Sequence, residues 1–253
     1  MKRKSSLSLF RPLTLFILLS LLSAAALADP KVILMVLTSH DQLGNTGKST
    51  GFYLTEVTHP YKIFVDAGYR VEFASPRGGH PPIDGLHSAD TESLKLLWNR
   101  SFRKALSQSK SPGTLEAKNY AAVFYAGGHG TMWDLPNNVG LQKLTSEIYD
   151  GGGTVAAVCH GPVGLVNVRL SNGKYLVDGQ PVAAFTNDEE EAAGLTNVMP
   201  FLLESKLRER GANIQNGANF QANVAVGERL VTGQNPSSAK GVAEALVRVL
   251  QGK

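Results

Sequence analysis

"TVAAVCHGPVG", residues 154 to 164, runs from small and β-branched residues into a cysteine, a histidine, a glycine and a proline. Thr154 to Val158 lack polar alternation, which reads as a strand buried on both faces, the kind found in parallel sheets. Pro162 suits the first turn of a helix. A strand that turns sharply at Cys159 into a helix is the unit this stretch predicts, and similar runs stand at 31–37 ("KVILMVL"), 70–75 ("RVEFAS") and 121–127 ("AAVFYAG"). Between them Leu94, Leu97, Trp98, Phe102 and Ala105 recur at helical spacing as one helix, and Leu141, Leu144, Ile148 and Tyr149 as another. A closing helix follows Asn235 as N-cap and Pro236, with Ala239, Val242, Ala243, Leu246 and Leu250 on one face. This alternation predicts a three-layer α/β sandwich, a mostly parallel central sheet with helices on both faces. Two segments, 174–186 around Asp178-Gly179 and 224–233 around Gly227-Glu228, read as β-hairpins added to it.

Residues 1–28 are read apart from the rest. Lys2, Arg3, Lys4 and Arg11 precede the apolar stretch "LTLFILLSLL", and Ala26 to Ala28 supply small residues at a cleavage point. That is the pattern of a secretory signal peptide. The apolar stretch is shorter than the roughly 20 residues a membrane span needs. The expected product is a single α/β domain over 29–253, exported to a periplasm or secreted, with no membrane association after cleavage. The leader holds four of the 25 Lys and Arg and none of the 21 Asp and Glu, so the remainder is formally neutral despite a pI near 9.1. A neutral balance argues against a nucleic-acid partner, which needs a basic excess. The single cysteine cannot close a disulfide within the chain.

In open α/β sheets ligands sit beyond the carboxyl ends of the strands. The loops after Thr38, Ser75, Gly127 and Val158 therefore gather His40, Glu56, His80, Gly128, His129, Cys159 and His160 on one edge. Two nucleotide-like patterns fail there. "LGNTGKST" has Gln42 where a phosphate-cradling loop needs its first glycine, and "AGGHGTMW" has Trp133 in place of the third glycine of a dinucleotide fingerprint. His40, His80 and His87 lack metal-ligand spacing, and no metal is expected.

Ala157-Val158-Cys159-His160-Gly161 has the spacing of a nucleophile elbow, in which small flanking residues relieve a crowded turn. A helix starting after Cys159 would favour the thiolate and lower its pKa. Backbone N–H groups at the turn, that of His160 among them, would hold an oxyanion formed beside the sulfur. A small buried apolar side chain is the alternative reading of a lone cysteine.

These residues resemble the ThiJ/PfpI superfamily, whose fold is flavodoxin-like and of the class I glutamine amidotransferase type. "AVCHGP" resembles its nucleophile elbow, "FYAGGHGTMWDLP" its glycine-histidine loop and "GFYLTEVTHPY" its first acidic loop, with "ASPRGGHPPID" and "LVTGQNPSSA" also similar. The branch most alike contains glyoxalase III and heat-shock chaperones. The resemblance implies Cys159 as nucleophile, His160 as the catalytic histidine, Glu56 as the acid that contacts the sulfur, and Gly127, Gly128 and His129 as the oxyanion and substrate loop. The third triad member is implied to be an acid after a strand, and Asp188, Glu189, Glu190 and Glu191 offer themselves. Glu190 is chosen by its distance from Phe185, and Asn187 with Glu190 also has the form of a capping box. Glu56 is expected in the loop before a helix starting near Pro60, with a raised pKa beside the sulfur.

The implied activity is a glyoxalase III-like lyase acting without metal, glutathione or other cofactor on small reactive carbonyls, methylglyoxal to lactate, with deglycase activity related to it. Two other classes stay open at this stage. One is a thiol hydrolase, peptidase or amidase. The other is a holding chaperone or redox-sensing stress protein without catalysis. A homodimer is among the expected states.

Overall fold

The computed structural model describes residues 31–252, so the leader read at 1–28 lies outside the described residues. Six strands form the central sheet: β1 (Val32–Val36), β2 (Arg70–Ala74), β3 (Ala122–Tyr125), β4 (Thr154–Val158), β5 (Val224–Val226) and β6 (Leu230–Gly233). Their order across the sheet is β2-β1-β3-β4-β6-β5. All neighbours are parallel except β5 and β6, which form the antiparallel hairpin expected at Gly227. Every residue of β1 is buried. Leu34 and Val36 pack into one core and Ile33 and Met35 into the other, which is why the strand shows no polar alternation.

Helices α1 (Thr55–Asp66) and α7 (Ala239–Leu250) contribute Val57, Phe64, Val242 and Leu246 to the Ile33 side. Helix α4 (Val139–Asp150) contributes Leu141, Leu144 and Ile148 to the Leu34 side. Three layers result. Asn235 opens the C-terminal helical run as expected, although its capping box with Ser238 closes on a short 3-10 turn, Pro236–Ser238, that leads into α7. No helix among the described residues is long and apolar enough to cross a membrane.

Three local expectations change. The periodicity from Leu94 to Ala105 belongs to two helices, α2 (Thr91–Trp98) and α3 (Arg100–Ser107). Asn99 is extended between them, and its side chain accepts the Phe102 N–H at 3.0 Å, so a new cap interrupts a continuous apolar pattern. Phe102 is buried while Trp98 is 82% exposed. The segment around Asp178-Gly179 makes a turn but no hairpin. Pro181–Val182 pairs in parallel with Asn213–Ile214. The capping box lies one residue earlier than expected: helix α5 (Asn187–Ala192) is capped by Thr186, whose hydroxyl accepts the Glu189 N–H at 3.0 Å while Glu189 accepts the Thr186 N–H at 3.0 Å.

That box fixes where the consecutive acids of α5 point. Thr186→Ala is expected to lower stability by about 1 kcal/mol, measured by urea unfolding, and an unchanged midpoint would show the cap to be dispensable.

Candidate active site

The elbow is built from a backbone outlier. Cys159 has φ of 59°, a left-handed conformation uncommon for a residue with a side chain and costing about 1–3 kcal/mol. Bonds on both sides impose it: Cys159 N–H donates to the Gly233 carbonyl of β6 at 2.8 Å, and Phe185 N–H donates to the Cys159 carbonyl at 3.0 Å. The turn then continues into Gly161–Leu165, a 3-10 segment.

Cys159 Sγ lies 3.3 Å from His160 Nδ1, so adjacent residues do make the contact that strand alternation would forbid. His160 Nε2 stands 2.8 Å from Glu190 Oε2, and His129 Nε2 stands 3.1 Å from Glu190 Oε1. Burial opposes ionisation of Glu190, but the hydrogen bonds from His129 and His160 outweigh it and hold the carboxyl at about 2. An ionised Glu190 requires a proton on His160 Nε2, which leaves Nδ1 as an acceptor facing the sulfur. Burial, then the neighbouring His129, bring His160 down to about 4 against the pull of Glu190. The imidazole is neutral at neutral pH and able to take a proton.

Glu56 comes from the first turn of α1, which starts at Thr55 with Pro60 inside it, not from a loop ahead of Pro60. Its Oε2 accepts the Gly127 N–H at 2.7 Å, and its buried Oε1 has no hydrogen-bond partner. Burial raises the carboxyl to about 8, against the lowering pull of the Gly127 N–H and of the neighbouring Cys159. A neutral carboxyl therefore faces the sulfur over most of the pH range. The two acids of the site are driven in opposite directions, a separation that assigns one as proton donor and the other as fixed charge.

The expected lowering of the Cys159 pKa is not what the structure gives. Burial pushes the thiol well above its usual value, and an ionised Glu56 pushes it further, while N–H groups of Gly128 and His160 pull the other way. Cys159 is 4% exposed, and a short 3-10 segment offers less than the helix end the sequence suggested. Below about 8 Glu56 is neutral, so its repulsion is absent and burial dominates.

Gly127 and Gly128 let this loop approach so closely. A Cβ on Gly127 would come within 2.7 Å of Glu56 Oε2, His160 N and Val158 O, and Gly128 has φ of 99°. Thr131 Oγ1 secures the loop by donating to the Gly128 carbonyl at 2.7 Å. His129 is the more open of the two imidazoles at 22%.

His40 stacks on Trp133 at 5.0 Å, and His80 and His87 are exposed. One group among the described residues nonetheless has the spacing to hold a cation: one donor atom each from His129, His160 and Glu190 lies within 4.8 Å of the others. Sequence spacing could not show it, because two separate loops and helix α5 supply the ligands. A cation there would take nitrogens already bonded to Glu190 and so compete with the Cys159-His160-Glu190 arrangement. Phe185, 4.4 Å from the His160 ring, forms a wall of the site that no motif in the sequence marks.

The DJ-1/PfpI family profile matches residues 49–249. The chain belongs to the DJ-1/PfpI family. Its relatives include the glutathione-independent glyoxalase hsp3102 of Schizosaccharomyces pombe, 35% identical over 219 residues that cover 81% of this chain and 90% of that one. The crystal structure of glyoxalase III from Candida albicans superposes with a TM-score of 0.82 at 30% identity, covering 87% of this chain and 97% of that one. The Rapid Encystment Protein of 24 kDa from Francisella tularensis does so with 0.84 at 38% identity, covering 87% and 99%. The α/β class and the superfamily resemblance are thus established.

Gly127→Ala is expected to push Glu56 off its N–H donor and misplace the Cys159 turn. If the site is a working one, turnover falls about a hundredfold with the fold retained by circular dichroism; full activity would show that the close approach is unnecessary.

Proposed function

We propose that the chain is a glutathione-independent glyoxalase that converts 2-oxoaldehydes, methylglyoxal among them, to 2-hydroxy acids, with Cys159 as nucleophile. The observation that carries this reading is the neutral Glu56 carboxyl and the neutral His160 imidazole flanking one sulfur, in a chain whose relatives bear that activity in their names. Isomerising a 2-oxoaldehyde requires protons to move at both oxygen and carbon, and two groups of different acidity divide that work.

His160 Nδ1 takes the thiol proton as sulfur bonds to the aldehyde carbon C1, and Glu190 stabilises the imidazolium. Glu56 gives its proton to the C1 oxygen, leaving a hemithioacetal and a carboxylate. That carboxylate, basic because burial raised its pKa, removes the C1 hydrogen while His160 protonates the C2 oxygen, giving an enediol. Glu56 then returns the proton to C2 as His160 takes the C1 hydroxyl proton, and a thioester results. Water, deprotonated by Glu56, attacks C1; the thiol leaves with the proton from His160. The 2-hydroxy acid is released, and every group regains its starting proton.

The scheme needs neutral His160 and protonated Glu56. Turnover of methylglyoxal, as kcat/KM, is expected to rise through about 4 and fall through about 8. Glu56→Gln keeps a donor but carries no exchangeable acid proton, so it should lose at least about a hundredfold in kcat, as Cys159→Ala should lose essentially all. A steady-state pH profile of the three proteins decides this, and near-normal turnover of Glu56→Gln would remove the proton-carrier role.

The proposal extends to location. A basic start, an apolar stretch and small residues at Ala26 to Ala28 support export and cleavage after Ala28. Intact mass of the exported protein should then correspond to a chain beginning at Asp29; a mass including Met1 to Ala28 in a membrane pellet would overturn it.

A further inference from the structure

Besides Cys159, Phe220 is the one non-glycine among the described residues with positive φ, 59°. A turn that needs this conformation is ordinarily filled by glycine or asparagine, and a large ring that serves the core is ordinarily buried. Phe220 does neither. The residue is 46% exposed although its backbone is tightly held. Phe220 N–H donates to Glu189 Oε1 at 2.6 Å, and the same oxygen accepts Asn235 Nδ2 at 2.8 Å. Asn235 Nδ2 also donates to the Gln221 carbonyl at 2.7 Å, and Gln234 Oε1 accepts the Gly217 N–H at 2.8 Å. Glu189 is fully buried and neighbours Glu190 in sequence, so one helical turn aims one carboxylate at the histidines and the next at this loop.

The ring this scaffold holds out is not isolated. Its centroid lies 6.3 Å from Phe185, and Phe185 lies 4.4 Å from His160 and 6.0 Å from His129. Aromatic surface thus extends from solvent to the imidazole that touches the sulfur. Flat apolar groups gain most from such offset and tilted ring contacts.

We propose that Phe220 and Phe185 form a subsite for the substituent on C2 of the substrate, selecting flat, apolar, aryl-bearing 2-oxoaldehydes over small ones. Glu189 is its positioning residue, acting through the Phe220 backbone. The substrate class rests on the glyoxalase reading above, whereas the subsite itself rests on the ring geometry.

The test compares the whole protein with Phe220→Gly, which deletes the ring while glycine adopts positive φ without strain, and with Phe220→Tyr, which keeps it. Phenylglyoxal and methylglyoxal are the substrates. Phe220→Gly should lower kcat/KM for phenylglyoxal, mainly through KM, about tenfold more than it lowers that for methylglyoxal, while Phe220→Tyr behaves like the parent. A second readout needs no glyoxalase activity: alkylation of Cys159 by 2-bromoacetophenone relative to iodoacetamide, followed by intact mass, should fall by a similar factor in Phe220→Gly. If the parent turns over neither aldehyde, the glyoxalase reading fails and the alkylation ratio alone decides the subsite. An unchanged ratio in Phe220→Gly, or an equal loss on both substrates, overturns the proposal.

Discussion

The left-handed backbone of Cys159, clamped between the Gly233 carbonyl and the Phe185 N–H, is the constraint on which the site depends. Had the residue stayed extended, β4 would continue straight and the Cys159 and His160 side chains would leave opposite faces of the sheet. The turn instead brings Sγ and Nδ1 to 3.3 Å and sets His160 Nε2 against α5. Both clamps belong to the fold: β6 supplies one by pairing with β4, and the connection ahead of the Thr186 cap supplies the other. The strain is thus sustained by regular structure on either side.

Around that turn the fold treats two carboxyls differently by a simple device. Glu56 receives one backbone N–H and little else in a dry place, so the proton stays on. Glu190 receives two imidazoles, so the proton stays off. Neither result follows from burial alone, since both are buried. What separates them is the number and kind of donors aimed at each, set by the loop after β3 and by the cap of α5.

Much of the fold was legible in the sequence because strands buried on both faces leave an unambiguous apolar run, and β1, β2, β3 and β4 fall where those runs stand. The misreadings have local causes. Apolar spacing carried across Asn99 hid a new helix start, and the Asp178-Gly179 turn suggested a hairpin although the pairing partner, Asn213–Ile214, is distant in sequence. Pro60 suggested a helix start because proline favours first turns, yet the chain accepts it inside α1. At the site, the sequence brought Cys159, His160, Glu56 and Glu190 into view largely through resemblance. The direction of the thiol pKa was misjudged, because a dipole argument sees the next helix and not the burial around the sulfur. The aromatic wall and the possible metal-ligand set were out of reach, since they join segments distant in sequence that only the folded sheet brings together.

The protonated Glu56 also makes folding itself a proton-binding reaction. Its ordinary value is 4.5 and its folded value about 8, so between these limits the folded chain holds a proton that the unfolded chain releases. Below 4.5 both states carry it and the residue adds no pH dependence. As pH rises from there to about 8, the folded state loses stability at about 1.4 kcal/mol per unit from this one group, and the penalty levels off above. An alkaline environment therefore acts on the same carboxyl twice, removing the acid from the site and loosening the protein that holds it.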